Sequence, residues 1–275
     1  MRLARFAIPL WAVALSALTA HAQVPFVPTP PVVVEEMLRI ANVGSEDFVI
    51  DLGSGDGRIP IAAAKKFGAR GIGVDRDPER IEESVYAAER AGVADRVEFR
   101  REDLFTFDVS RATVVTMYLL PSVNMRLRPR LLSELKPGTR IVSHDFDFED
   151  WRPDAKSTVR KNVFLWIVPA QVGGRWRVNV ALPDGERGFD IEIKQKFQEI
   201  DGVVRYGAKI AGLWNARLTG DRLSFVVVDD SAPVETNLYF DGRVAGDTIE
   251  GVIARGVGAD RREIKWHAKL IAPPS

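Results

Sequence analysis

From residue 47 to about residue 170, short runs of apolar and β-branched residues alternate with stretches of helical period. The pattern predicts strands at 47–51, 70–75, 96–101, 112–118 and 139–144, with helices near 58–68, 78–91 and 122–136. Asp77-Pro78-Glu79 opens the second of these helices as N-cap, first-turn proline and first-turn acid, and Gly92 closes it. Ahead of the first strand, Pro25-Phe26-Val27-Pro28-Thr29-Pro30-Pro31 is a stiff, extended lead-in. Thr29 is expected to cap a further helix whose apolar face carries Val34, Met37, Leu38 and Ala41. Strands alternating with helices imply an α/β unit with a mostly parallel sheet covered on both faces. Ligands then sit at the carboxyl ends of the strands.

Beyond Val172 the period shortens to that of strands. Runs near 175–182, 189–200, 203–210, 223–228, 236–240, 248–254 and 263–271 are separated by Asp184-Gly185, Asp201-Gly202, Gly220-Asp221, Asp241-Gly242 and Gly246-Asp247, each read as a turn. This predicts an all-β antiparallel meander, closed as a barrel or folded as a sandwich, over residues 171–275, after an α/β domain over 23–170. Trp176, Trp214 and Trp266 are expected in its core.

The stretch that carries chemistry is Asp51-Leu52-Gly53-Ser54-Gly55-Asp56-Gly57 between the first strand and its helix. Glycines at alternate positions let the backbone turn with positive φ and approach a ligand closely, and the helix N-terminus offers unpaired N–H groups. A dinucleotide fingerprint spaces its third glycine one residue later. The acid-x-G-x-G-x-G form seen here is that of S-adenosylmethionine (SAM) loops, which disfavours an NAD-dependent oxidoreductase. An acid at the end of the next strand should accept hydrogen bonds from ribose hydroxyls, and Asp75 stands there, 22 residues after Gly53. Following the third strand, Asp103 is placed to read an adenine amino group, with Leu104 packing on the ring.

The remaining strand ends frame an acceptor side. Tyr118 ends the fourth strand and precedes Leu119-Leu120-Pro121; the Asn/Asp-Pro-Pro-Tyr tetrapeptide that holds base or amide nitrogens in other methyltransferases is absent. His144 and Asp145 end the fifth strand, and Asp145 to Phe148 alternate as a half-buried strand would. Their spacing gives no repeated metal-ligand pattern. Arg126, Arg128 and Arg130 read as a solvated face.

Composition removes some classes. The 275 residues include 38 basic and 38 acidic side chains, which argues against a general nucleic-acid binder. With no cysteine there is no disulfide scaffold, thiolate metal site or cysteine nucleophile. Residues 1–22 combine Arg2 and Arg5, an apolar run from Phe6 to Ala20, and small residues at Ala20-His21-Ala22, the pattern of an export signal; an uncleaved N-terminal anchor is the alternative. Either sets the remainder outside the cytoplasmic membrane, in the periplasm or beyond.

The lead-in, Asp51 to Ile59, Gly73-Val74-Asp75, Asp103-Leu104-Phe105 and Leu119-Leu120-Pro121 together resemble the protein-lysine N-methyltransferase family that includes the ATP synthase c-subunit and adenine nucleotide translocase methyltransferases. The resemblance spans about residues 25–155 and implies a Rossmann-like class I SAM-dependent fold, often behind a membrane segment, with a protein lysine ε-amine as acceptor. The loop and strand-end positions make Asp51, Gly53, Ser54, Gly55, Asp75, Asp103 and Leu104 the candidates around SAM, and Tyr118 and His144 those beside the acceptor. A small-molecule acceptor, or an exported SAM-binding module whose β domain binds a partner, are the other readings.

Overall fold

The computed structural model describes residues 26–158, 161–182, 185–229, 236–255 and 262–274. The leader at 1–22 and Asp184 of the first expected turn lie outside them. The first unit is built from α1 (Pro31–Ile40), β1 (Phe48–Leu52), α2 (Arg58–Phe67), β2 (Arg70–Asp75), α3 (Pro78–Ala91), β3 (Val97–Arg101), β4 (Val114–Met117), α4 (Pro121–Glu134), β5 (Arg140–His144), β6 (Ala155–Ser157) and β7 (Val163–Ile167). Its seven strands run in the order β3-β2-β1-β4-β5-β7-β6. β1 to β5 are parallel, and β7 is antiparallel to both β5 and β6.

Side-chain alternation along the parallel strands divides two cores. Val49, Val114 and Val142 face α1 and α2, where Val33, Met37 and Leu38 are sealed from solvent. Each such side chain stabilises the fold by about 1.5–3 kcal/mol on burial. Ile50, Val115 and Ile141 face the opposite way, towards Leu127 and Leu131 of α4. α3 has the predicted caps, Asp77 Oδ1 accepting from the Glu79 amide and Gly92 at the C-terminus. α1 differs from expectation: its cap position is Pro30 with no side-chain cap, because the Thr29 hydroxyl is engaged across the molecule.

The expected strand continuing past His144 does not form either. Asp145 and Glu149 both take left-handed backbone conformations (φ 63° and 53°), so residues 145–154 leave β5 irregularly and descend the α4 face. Phe148 and Trp151 from this segment are buried against Trp166, with ring centroids 4.7 Å and 6.0 Å from it. Nor do the arginines of α4 form a plain solvated face. Arg128 donates to the Phe148 carbonyl (2.9 Å), Arg130 to that of Leu104 (3.1 Å), and Arg126 lies 3.7 Å over the Phe105 ring.

The second unit contains β8 (Gly174–Leu182), β9 (Gly185–Lys196), β10 (Glu199–Tyr206), β11 (Lys209–Gly212), β12 (Trp214–Thr219), β13 (Arg222–Asp229), β14 (Thr236–Ala245), β15 (Thr248–Arg255) and β16 (Arg262–Ala272). The nine strands form one antiparallel sheet, β11-β10-β9-β8-β16-β15-β14-β13-β12. It curls until β10 faces β12 and β11 faces β13 across a seam, a nearly closed barrel. Trp176, Phe225, Phe240 and Trp266 fill it, whereas Trp214, expected inside, is 62% exposed at the seam. Asp201-Gly202 and Asp241-Gly242 are strand interior, not turns. At Gly242 a Cβ would come within 2.8 Å of the Trp266 ring, so the small residue admits the indole. Gly220-Asp221 and Gly246-Asp247 are the turns the pattern predicted.

Candidate active site

The loop after β1 lies over the carboxyl ends of β1 and β2. Gly53, Gly55 and Gly57 all have positive φ (76°, 53° and 74°), so the chain folds back on itself within a few residues. The Gly53 and Ser54 amides donate to the Val74 carbonyl at 2.8 and 3.0 Å. Asp75 is tied to the same loop, its carboxylate accepting from the Gly55 amide (3.0 Å) and from the Asp77 amide (3.0 Å). Each oxygen keeps a further lone-pair site for a ligand hydroxyl. The Glu102 amide donates to the Asp75 carbonyl (3.1 Å), bringing the loop of exposed Asp103 and half-buried Leu104 beside it. Asp103 Oδ1 itself accepts from the Phe105 amide at 2.9 Å.

Asp51 is almost fully buried and accepts from Thr116 Oγ1 of β4 at 2.7 Å. Burial pushes its carboxyl up to about 7; the Thr116 hydrogen bond opposes this, and the neighbouring Asp75 and Asp56 charges add to it.

The residues present fit a cofactor that lies against the backbone. A Cβ on Gly53 would come within 2.7 Å of the Leu119 side chain, and one on Gly55 would collide with the Phe26 ring, so the missing side chains let Leu119 and Phe26 close directly onto the loop backbone. Ser54 Oγ, buried in that loop, has no partner among the protein atoms.

The acceptor side is built by the ends of β4 and β5. Tyr118 and His144 share one face of the sheet, their ring centroids 4.0 Å apart, and Phe146 stacks 6.2 Å from Tyr118. His144 is 1% exposed. Its Nδ1 lies 3.1 Å from Thr29 Oγ1 in a buried hydrogen bond, and its Nε2 has no partner. Burial lowers its pKa, the Asp145 carboxylate opposes that fall and Lys161 adds to it, so the site favours the uncharged ring. On the other face, Asn124 of α4 donates to Ser143 Oγ (3.4 Å) and to the Phe146 carbonyl (3.3 Å), fixing the turn out of β5.

The lead-in connects the two sides. Phe26 covers Gly55, the Thr29 carbonyl accepts from Arg58 (2.8 Å), and the Thr29 hydroxyl reaches His144. Thr29 and Asn124 are the residues the sequence pattern misses. Thr29 precedes a helix and so looks like a cap, while Asn124 sits within a helix and carries no local signal. No group of three or more His, Cys, Asp or Glu side chains gathers as a metal site among the described residues.

Comparison with known proteins agrees with this geometry. Residues 51–155 match the model of the ANTKMT methyltransferase domain. The protein-lysine N-methyltransferase of Saccharolobus islandicus (strain REY15A) is 51% identical over 151 residues, 53% of this chain and 94% of that protein. The human lysine N-methyltransferase of the ATP synthase c-subunit is 34% identical over 130 residues, 47% of this chain and 55% of its own length. Among solved structures, an RNA methyltransferase from Salinibacter ruber in complex with S-adenosyl-L-homocysteine is 52% identical, with a TM-score of 0.52 over 53% of this chain and 96% of that one. The chain thus belongs to the protein-lysine N-methyltransferase family, and its first sheet is that of a class I SAM-dependent methyltransferase.

Proposed function

We propose that this methyltransferase acts on the ε-amine of a protein lysine. The observation that carries the reading is the buried His144 Nε2, unpartnered at the end of β5. Gly53, Ser54 and Gly55 would hold the methionine part of SAM, Asp75 its ribose, and Asp103 with Leu104 its adenine. When bound, SAM supplies a methyl group already activated on a sulfonium.

The protein's part is to deliver a neutral amine in line with that methyl group, since an ammonium has no lone pair. In the tautomer whose Nδ1–H donates to Thr29 Oγ1, Nε2 of His144 has its lone pair free to take the ammonium proton and later release it to water. With SAM bound, the amine so freed would be held in line with the methyl group that the sulfonium gives up. Tyr118, its ring tilted against His144 with centroids 4.0 Å apart, walls the amine's path. Two of the relatives described above act, by name, on lysine, which supports the same acceptor.

The description of the Salinibacter structure favours a second reading, methylation of RNA. Against it stand equal numbers of basic and acidic residues and Leu119-Leu120-Pro121 where a base-holding tetrapeptide would be. Incubating the purified chain with labelled SAM and separate protein and RNA fractions of the host decides between them. Label recovered on lysine after proteolysis supports the proposal; label that ribonuclease releases, or label on a small metabolite, overturns it.

We also propose that the leader exports the protein, and the chemistry of its first 22 residues is the support. A mature N-terminus near Gln23 in a periplasmic or secreted fraction is the expected result. A full-length cytoplasmic chain would sink it. Among the described residues no helix is long and apolar enough to cross a membrane.

A further inference from the structure

The chain leaves β5 through Asp145, held in the left-handed region by its amide donating to the Asn162 carbonyl (2.8 Å). This turn presents the carboxylate beside His144, Asp145 Oδ2 lying 3.8 Å from the unpartnered Nε2. Tyr118 and Phe146 add aromatic rings around the same spot. A carboxylate, a buried ring nitrogen without a partner and aromatic walls are what an alkylammonium needs: a counter-charge, a proton acceptor and faces that attract a cation. The seat is already taken by a lysine of this chain. Lys161 Nζ lies 3.2 Å from Asp145 Oδ2, with its side chain 52% exposed against 17% for Asp145.

We propose that Asp145 receives the acceptor's ε-ammonium, and that Lys161 is a stand-in which holds this place in the free enzyme and leaves when the acceptor arrives. The inference rests on the lysine reading above. An ion pair with one partner half in water is weak and screened, so an incoming lysine displaces it at little cost. The carboxylate then keeps the ammonium beside Nε2 until its proton is lost. The aromatic walls tolerate the added methyl groups, because the face of a ring attracts a methylated ammonium as well as a plain one.

Full-length Asp145→Asn, Lys161→Gln and the double variant test this, asparagine being at ease in the left-handed conformation of residue 145. One readout needs no methyl transfer: acetylation of Lys161 by N-hydroxysuccinimidyl acetate, followed by peptide mass spectrometry. Freed from its partner in Asp145→Asn, Lys161 should react about twofold to fivefold faster; an unchanged rate overturns the pairing and the proposal with it. The second readout is incorporation of label from SAM into lysines of a host protein extract at increasing dilution. Lys161→Gln should run about twofold to fivefold faster than wild type when the extract is dilute and converge with it when concentrated. Asp145→Asn should be slowed most when the extract is dilute, and in that background Lys161→Gln should make no difference. Wild-type labelling of lysines with no gain in dilute extract for Lys161→Gln overturns the stand-in while the lysine reading survives. No lysine labelling by wild type removes both.

Discussion

Asp51 is a carboxylate that the fold holds at a disadvantage, and its consequence is measurable at the scale of one residue. Its pKa rises from 3.8 to about 7 in the fold, so the unfolded chain gives up this proton first. Its contribution is therefore complete below about pH 4 and is lost as pH climbs through about 7, a gap worth about 4 kcal/mol at most. Urea unfolding of the SAM-free protein at pH 4.5 and 7.5 should show wild type losing more stability than Asp51→Asn over that interval; equal losses would refute the assignment. Asp75 is expected to matter for binding. Asp75→Ala should weaken SAM by roughly tenfold to a hundredfold in calorimetry, about 1.5–3 kcal/mol. Asp75→Asn, which keeps an acceptor oxygen for the Gly55 amide, should lose less. Unchanged affinity in the alanine variant would remove Asp75 from the cofactor site. Glycines and acids of this loop are legible in the sequence because their backbone demands are local. Thr29 is not, because its partner His144 is 115 residues away.

At the scale of elements, the lead-in is a strap from the glycine loop to His144. Thr29→Val keeps the shape of the side chain and removes the hydroxyl, leaving both nitrogens of a buried imidazole without a partner. A loss of about 1–3 kcal/mol in stability is expected, together with a slowed methyl-transfer rate and an altered pH profile, since the hydrogen bond that fixes the His144 ring is gone. A variant with wild-type stability and pH profile would show the hydrogen bond to be idle. The barrel strands show where local pattern runs out. Asp201-Gly202 and Asp241-Gly242 carry the same dipeptide signal as a true hairpin turn, yet each lies inside a strand. What decides is a distant neighbour, as Trp266 does for Gly242, and no window of sequence contains it.

In the whole molecule the two sheets are joined by more than their connecting segment. Phe197, at the β9–β10 turn, stacks 5.5 Å from Trp151, whose Nε1 donates to Gln198 Oε1 at 2.9 Å. Gln198 in turn donates to the Arg152 carbonyl (2.7 Å), and Lys196 pairs with Asp150 (3.2 Å). The barrel tip thus braces the irregular segment that leaves Asp145, where the pattern of alternating Asp and Phe had suggested a strand. Phe197→Ala should cost about 2 kcal/mol, below the figure for a fully buried ring because Phe197 is only partly enclosed. It should also separate the thermal unfolding of the two units. A single, unshifted transition would mean the brace is dispensable.

The position of β16 has a consequence in time. This last strand, Arg262–Ala272, lies between β15 and β8 in the middle of the barrel sheet, so its partner Gly174–Leu182 waits for some eighty residues to be synthesised before it can pair. The methyltransferase sheet, by contrast, has all its strands by Ile167. On the ribosome the methyltransferase sheet can therefore close before the barrel, which is completed only once Arg262–Ala272 has emerged, and this long-range pairing is its slow step.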